Sequence, residues 1–238
     1  MYKRHQQLPM VSDNNITVWK YMDIFKYLTI LENSEFYFLN VINYKDKFDG
    51  FMPRFDESST IDGHLLNPTM CQALNQSYDQ IRSYSYANCW TISEYESPFF
   101  WDCYSDKNGG VAIQSTVQLL CDSIVDQRDI HISPVVYDFP NIDIGNVYWP
   151  LFKKRPEFLD EKEIRLIYVD KAGLQPNAEH NINGSVNIKV DINKLIVNTF
   201  FHPSTPTWMV EVLSSVISKY SIKPPIKSNL YYTPFNDC

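Results

Sequence analysis

The sequence predicts an α+β fold, a single compact domain in which a mixed, mostly antiparallel sheet carries packed helices. Three observations predict it. Short β-prone runs alternate with segments whose apolar residues recur at three-and-four spacing. Those segments follow one another without a long polar interruption and with only 7 glycines in the chain. The 238 residues are 44% hydrophobic and 21% charged, the profile of a chain that fills one core. Residues 1–15 read as a loose, polar lead-in and 16–238 as the domain.

Order is expected to start at Ile16, with a β-prone run to Tyr21 that ends in Trp19-Lys20-Tyr21, then a helix carrying Ile24, Tyr27, Leu28 and Leu31. Glu35 to Leu39 reads as a strand. Residues 43–54 and 58–68 read as loop, punctuated by Gly50 and Pro53. Cys71, Leu74, Tyr78 and Ile81 mark a helix that buries one face, and Tyr84 to Ile92 a strand. Ser97-Pro98 supplies a cap and a first-turn proline for a short helix to Tyr104, ended by Gly109-Gly110. Val111 to Gln114 is strand-like, and Ser115 or Thr116 caps a helix through Val125. Val135 to Tyr137 reads as β, residues 138–156 as a long surface excursion, and Glu161 to Val169 as a strand entering the sheet. After a loop from Gly173 to Gly184 come strands at Val186 to Val190 and Leu195 to Phe201. Thr205-Pro206 opens a helix whose stripe of Met209, Val212, Leu213, Val216, Ile217 and Tyr220 is expected to dock on the sheet. Lys227 to Tyr232 reads as a last strand.

Charge and cysteine usage narrow the function. A formal net charge of −7 repels phosphate backbones, so nucleic acid is not indicated as a partner. Lys153-Lys154-Arg155 is the one basic run, and its bland reading is a solvated turn. The five cysteines show no CxxC or Cys/His ligand spacing, and no signal peptide opens the chain, which together point to a reducing, cytoplasmic location. No stretch approaches the ~20 apolar residues of a membrane span.

The segment Glu161-Lys162-Glu163-Ile164-Arg165 puts two carboxylates and a guanidinium at alternate positions, one face of a strand. Such a face is solvated, paired or lines a polar cavity, because an isolated buried charge costs several kcal/mol. The bland reading is an edge strand with an Arg/Glu ion pair. The functional reading places Glu163 in a cleft as a base or a ribose-hydroxyl acceptor, with Arg165 holding it or a phosphate and Glu161 as its understudy. Aromatic and hydroxyl groups, Trp19, Lys20, Tyr21, Trp90 and Thr91, sit near strand ends, although tryptophans are mostly core. Cys89 has no neighbouring base in sequence. Asp46-Lys47-Phe48-Asp49-Gly50 lacks the spacing of a Ca²⁺ loop, so no metal site is assigned.

Taken in order, Trp19-Lys20-Tyr21, Asp46-x-Phe48-Asp49-Gly50, Cys89-Trp90, Phe100-Trp101-x-x-Tyr104, Gly110-Val111-Ala112-Ile113 and Glu161-x-Glu163-x-Arg165 resemble a bacterial domain-of-unknown-function family over about Ile16 to Tyr232. The family usually has Glu at the place of Asp49 and Met at the place of Phe100. Its members are single-domain bacterial proteins without an assigned activity, so the resemblance implies a cytoplasmic protein and no reaction. More distantly the chain is similar to ADP-ribosyltransferase-like folds. That analogy puts Tyr21, Thr91 or Trp90, and Glu163 at the three strand-end positions, with Glu163 bonding the nicotinamide ribose of NAD.

The function expected from these readings is an enzyme on a nucleotide-type substrate, with NAD cleavage or ADP-ribosyl transfer as its form. Its catalytic candidates are Glu163, Arg165 and Tyr21. Trp19, Lys20, Asp49, Trp90, Thr91, Trp101, Tyr104 and Glu161 are the ligand-binding candidates. Two alternatives stay open. One is a non-catalytic module that binds a small molecule or a partner protein through its aromatic loops, and the other is a metal-assisted hydrolase using Asp46, Asp49, Glu161 and Glu163.

Overall fold

A computed structural model describes residues 2–6, 8–61, 63–105, 109–139, 146–175 and 184–231. In chain order the strands are β1 (Thr17–Asp23), β2 (Glu35–Asn40), β3 (Thr60–Ile61), β4 (His64–Leu65), β5 (Ser85–Ile92), β6 (Gly110–Thr116), β7 (Ile130–Pro134), β8 (Glu163–Val169), β9 (Ser185–Lys189), β10 (Asn198–Phe201) and β11 (Ile226–Lys227). The helices are α1 (Ile24–Asn33), α2 (Pro68–Ser83), α3 (Pro98–Tyr104), α4 (Val117–Asp122), α5 (Ile192–Leu195) and α6 (Thr207–Ile217). The fold class is α+β, with a mixed, mostly antiparallel sheet and packed helices. Parts of the expected segments 138–156, 173–184 and 227–232 fall at 140–145, 176–183 and 232, outside the described residues.

The chain divides into two compact units: Met1–Met10, Tyr37–Cys89 and Gln127–Asn187 form the first, and Val11–Phe36, Trp90–Asp126 and Ile188–Cys238 the second. In the first unit, β8 pairs with β5 and with β7, and the β7 register runs antiparallel from Ile130 opposite Tyr168 to Pro134 opposite Ile164. Its core gathers Leu8, Val41, Ala87, Leu151, Phe152, Ile167 and Val169. A satellite cluster under α2 joins Met52, Phe55, Leu66, Cys71 and Tyr78. Of the segment 1–15, expected to be a loose lead-in, residues 2–6 and 8–10 are docked on this unit. Tyr2 bridges Ile130, the Lys3 amide donates to the Ile130 carbonyl at 2.8 Å, and Leu8 is buried in the core.

In the second unit, β1 lies antiparallel to β6 along its whole length, from Thr17 opposite Thr116 to Asp23 opposite Gly110, and β10 flanks β6. Local chemistry sets the helix starts. Asp23 ends β1 and accepts from the Lys26 amide, Ser97 caps α3 ahead of Pro98, and Thr116 caps α4 by accepting from the Leu119 amide. Tyr27 of α1 buries its ring and shares a hydroxyl hydrogen bond with Thr199 at 2.8 Å.

Several expected boundaries move. The strand expected at Val135 to Tyr137 lies upstream as β7, and Val136 makes only an isolated bridge to Lys153. Residues 60–61 and 64–65, expected as loop, pair as the short strands β3 and β4. Leu195 belongs to α5, which Asp191 caps with its side chain, so the strand starts at Asn198. Pro206 is the residue before α6, and the helix buries only Ile217 fully, leaving Val212 56% exposed, so its apolar stripe does not seat as expected.

Gly173 shows how tightly the first unit is closed. A Cβ there would sit 2.3 Å from the buried ring of Tyr84. Gly173→Ala is therefore expected to destabilise by about 1–3 kcal/mol through overpacking, read as a lowered denaturant midpoint.

Candidate functional site

The sequence candidates fall into two sets, one in each unit. Asp49, Glu161, Glu163 and Arg165 belong to the first unit, and Trp19, Lys20, Tyr21, Trp90, Thr91, Trp101 and Tyr104 to the second.

In the first set, β8 turns Glu163 and Arg165 to one face, as two-residue alternation requires. Glu161 does not share the strand. It closes a 3-10 turn, Pro156–Glu161, and Lys162 at φ 42° carries the chain from that turn into β8. Asp49 arrives from a turn completed by Gly50 at φ 66° and held by α2: Arg82 Nε donates to the Asp49 carbonyl at 3.2 Å and its Nη2 to the Lys47 carbonyl at 2.8 Å.

Arg165 has no exposed surface and spends every N–H it has. Nε donates to Glu163 Oε1 at 2.6 Å and Nη2 to Glu163 Oε2 at 3.0 Å. Nη1 donates to Asp49 Oδ1 at 2.6 Å and to the Leu151 carbonyl at 2.8 Å, and Nη2 also donates to Asp49 Oδ2 at 3.2 Å. Two bidentate forks on one guanidinium are the strongest pairing that side chain makes. Lys154 adds a second cation, 2.5 Å from Glu161 Oε2 and 3.3 Å from Glu163 Oε2. Lys153 and Lys154, expected in a solvated turn, are both buried, with Lys153 paired to Asp138 and set over the Trp149 ring.

The electrostatics follow from this packing. Burial pushes the Glu163 carboxyl up, but the Arg165 guanidinium, with Lys154 and the Cys89 thiol, more than reverses it and holds the group down at about 2. Burial raises Glu161, against the pull of Lys154. Burial is also what pushes the Cys89 thiol up to about 12, with Glu163 adding to it, so the sulfur stays a protonated donor. Its Sγ lies 3.3 Å from the Tyr44 hydroxyl.

In the second set, β1 and α3 build a ladder of rings. Trp19 stacks with Tyr21, Tyr21 with Phe100, and Phe100 with Tyr104, at centroid separations of 6.1, 5.5 and 5.5 Å and interplanar angles of 21°, 19° and 20°. Trp101 stands edge-on to Tyr21 at 5.0 Å, fully buried, and donates from Nε1 to Glu96 at 3.0 Å. The Tyr21 hydroxyl accepts from the Ser97 amide at 2.9 Å, and burial raises its phenol well above the ordinary range. Trp19 donates from Nε1 to the Ser93 carbonyl, and Lys20 lies 5.8 Å over the Trp90 ring. Trp90 and Thr91 are buried in β5, with Thr91 opposite Trp19 across the β1 pairing. The ladder runs from buried Trp19 to Tyr104, which is 50% exposed.

Sequence reasoning passed over Phe100 and Lys154 as site members. Phe100 was signalled by its four-residue spacing from Tyr104, which puts the two rings on one helix face. Lys154 stood in the basic run Lys153-Lys154-Arg155, but nothing in the sequence signalled that it turns inward to Glu161 and Glu163, 7 and 9 residues further on.

Among the described residues, no group of three His, Cys, Asp or Glu side chains is arranged to hold a metal ion, and no helix is long and apolar enough to cross a membrane. No protein-family model, no curated protein and no solved structure matches the chain.

Proposed function

We propose that the chain is a non-catalytic binding module for a planar-ring ligand of the nucleoside class, received at the outer end of the aromatic ladder, with the buried ion centre serving as architecture. The observation that carries this reading is the ladder itself. Its inner rings are fixed by β1 and α3, and its last ring, Tyr104, is half exposed. Stacking a base on such a ring is worth about 1–3 kcal/mol and tolerates any base, because every base has a π face. The net charge of −7 favours recognition led by the ring over recognition led by phosphate. Glu163 supports the architectural part of the reading, since each of its oxygens already accepts from Arg165.

Adenosine, nicotinamide and NAD titrated against intrinsic fluorescence test it. We expect saturable quenching, weakened roughly 5- to 150-fold in Tyr104→Ala and retained in Tyr104→Phe. Equal affinity in Tyr104→Ala, or no binding of any of the three, overturns the proposal. Release of nicotinamide from NAD that disappears in a normally stable Glu163→Gln protein replaces it with the catalytic reading.

A further inference from the structure

We propose that residues 2–6 and 8–10 form a strap on the first unit whose docking is switched by protonation of His131. The strap is tied at four places to β7 and the residue just ahead of it. The Lys3 amide donates to the Ile130 carbonyl at 2.8 Å, and the Lys3 carbonyl accepts from His131 Nδ1 at 2.9 Å. Lys3 Nζ pairs with Asp129 at 2.9 Å, and Ser133 Oγ donates to the Pro9 carbonyl at 3.0 Å. Leu8 then plugs the core beside Leu151, Phe152 and Ile167.

His131 sits where all of this converges. With Nδ1–H given to Lys3, the neutral ring carries its lone pair on Nε2, and a second proton there places a charge inside a buried site. Among the described residues, charged groups face it from three elements. From the strap, His5 stands edge-on at 5.7 Å and disfavours a charge on His131. From the chain after β8, Lys171 repels the added charge. Asp129 attracts it, but is engaged by Lys3 and Lys171. From the turn ahead of Leu151, Tyr148 packs its ring 4.9 Å from His131 and 5.1 Å from His5 and brings no charge.

Burial accordingly pulls the His131 imidazole below its ordinary value, against the pull of the Lys3 carbonyl. The sign follows. A lowered folded-state value means that the strap's stabilisation is complete above about pH 6.5, the unfolded value, and is lost as pH falls through the folded one. Release would free the Leu8 seat and one side of Tyr148, whose carbonyl holds the Leu151 amide at 3.0 Å. The switch thereby reaches the turn whose Leu151 carbonyl seats Arg165.

Backbone hydrogen exchange of the full chain, read as protection factors at about pH 7.5 and about pH 5.5, tests the strap. We expect protection of the Lys3 and Leu8 amides to fall several-fold at the lower pH while β8 stays protected. His131→Asn, which keeps a donor toward Lys3 without titrating, is expected to flatten that change. His5→Gln is expected to keep it and move its midpoint to higher pH, because a like charge is gone. PH-independent protection in the parent protein overturns the proposal, as does opening of β8 together with the strap. An undiminished change in a folded His131→Asn protein overturns it equally.

Discussion

Arg165→Leu is expected to destabilise the first unit by about 3–5 kcal/mol, the range for breaking a buried ion pair from one side. The size follows from what the substitution leaves behind rather than from what it removes. Asp49 and Glu163 would stay at 2% and 4% exposure with the partner of two bidentate forks gone, and the Leu151 carbonyl would lose its donor. Lys154 cannot take over, since its ammonium is already 2.5 Å from Glu161 and lies 3.8 Å from Asp49. Arg165→Lys is expected to recover only part of the loss, because a point charge lacks the planar fork that holds two carboxylates at once. Urea unfolding with an unchanged slope measures both. A loss under about 1 kcal/mol for Arg165→Leu would show the centre to be solvated like a surface pair.

The same residues show how far the sequence reaches. The shared face of Glu163 and Arg165 was legible because strand periodicity is local. Glu161 broke the pattern for an equally local reason that period counting does not contain: Pro156 favours a turn, and Lys162 takes the left-handed conformation that separates turn from strand. Asp49 is 116 residues from Arg165, and no spacing rule connects them. Lys153 and Lys154 looked like a solvated turn because three consecutive charges usually are one, whereas Asp138, Glu161 and Glu163, folded back against them from 7 to 15 residues away, make their burial tolerable. Helix starts were readable from Ser97 and Thr116, since a cap is chemistry within four residues. The β7 strand is missed: Ile130 and Ile132 alternate with His131 and Ser133, but the apolar run just after them reads as the strand instead. The α6 stripe failed differently, because periodicity says which residues share a face and not whether a partner covers that face.

Acid should loosen this centre at a lower pH than the one that releases the strap. Glu163 is held at about 2 in the folded chain, against an ordinary value of 4.5. A lowered folded-state value contributes stability that is complete above the unfolded value and lost as pH falls through the folded one, so the loss runs from about pH 4.5 down to about pH 2 and amounts to roughly 3 kcal/mol. Glu161 works against it. Its value is raised by burial, so protonating it on the way down favours the folded chain and softens the upper part of the limb. Glu163→Gln carries the neutral state to all pH. It should destabilise at neutral pH by about 1–3 kcal/mol, because an amide offers one acceptor oxygen where Arg165 and Lys154 donate to two. It should also flatten the acid limb while leaving ring-ligand affinity unchanged. A variant as stable as its parent would instead mean that the carboxylate is not part of the architecture, and it would return Glu163 to the list of groups free to do chemistry.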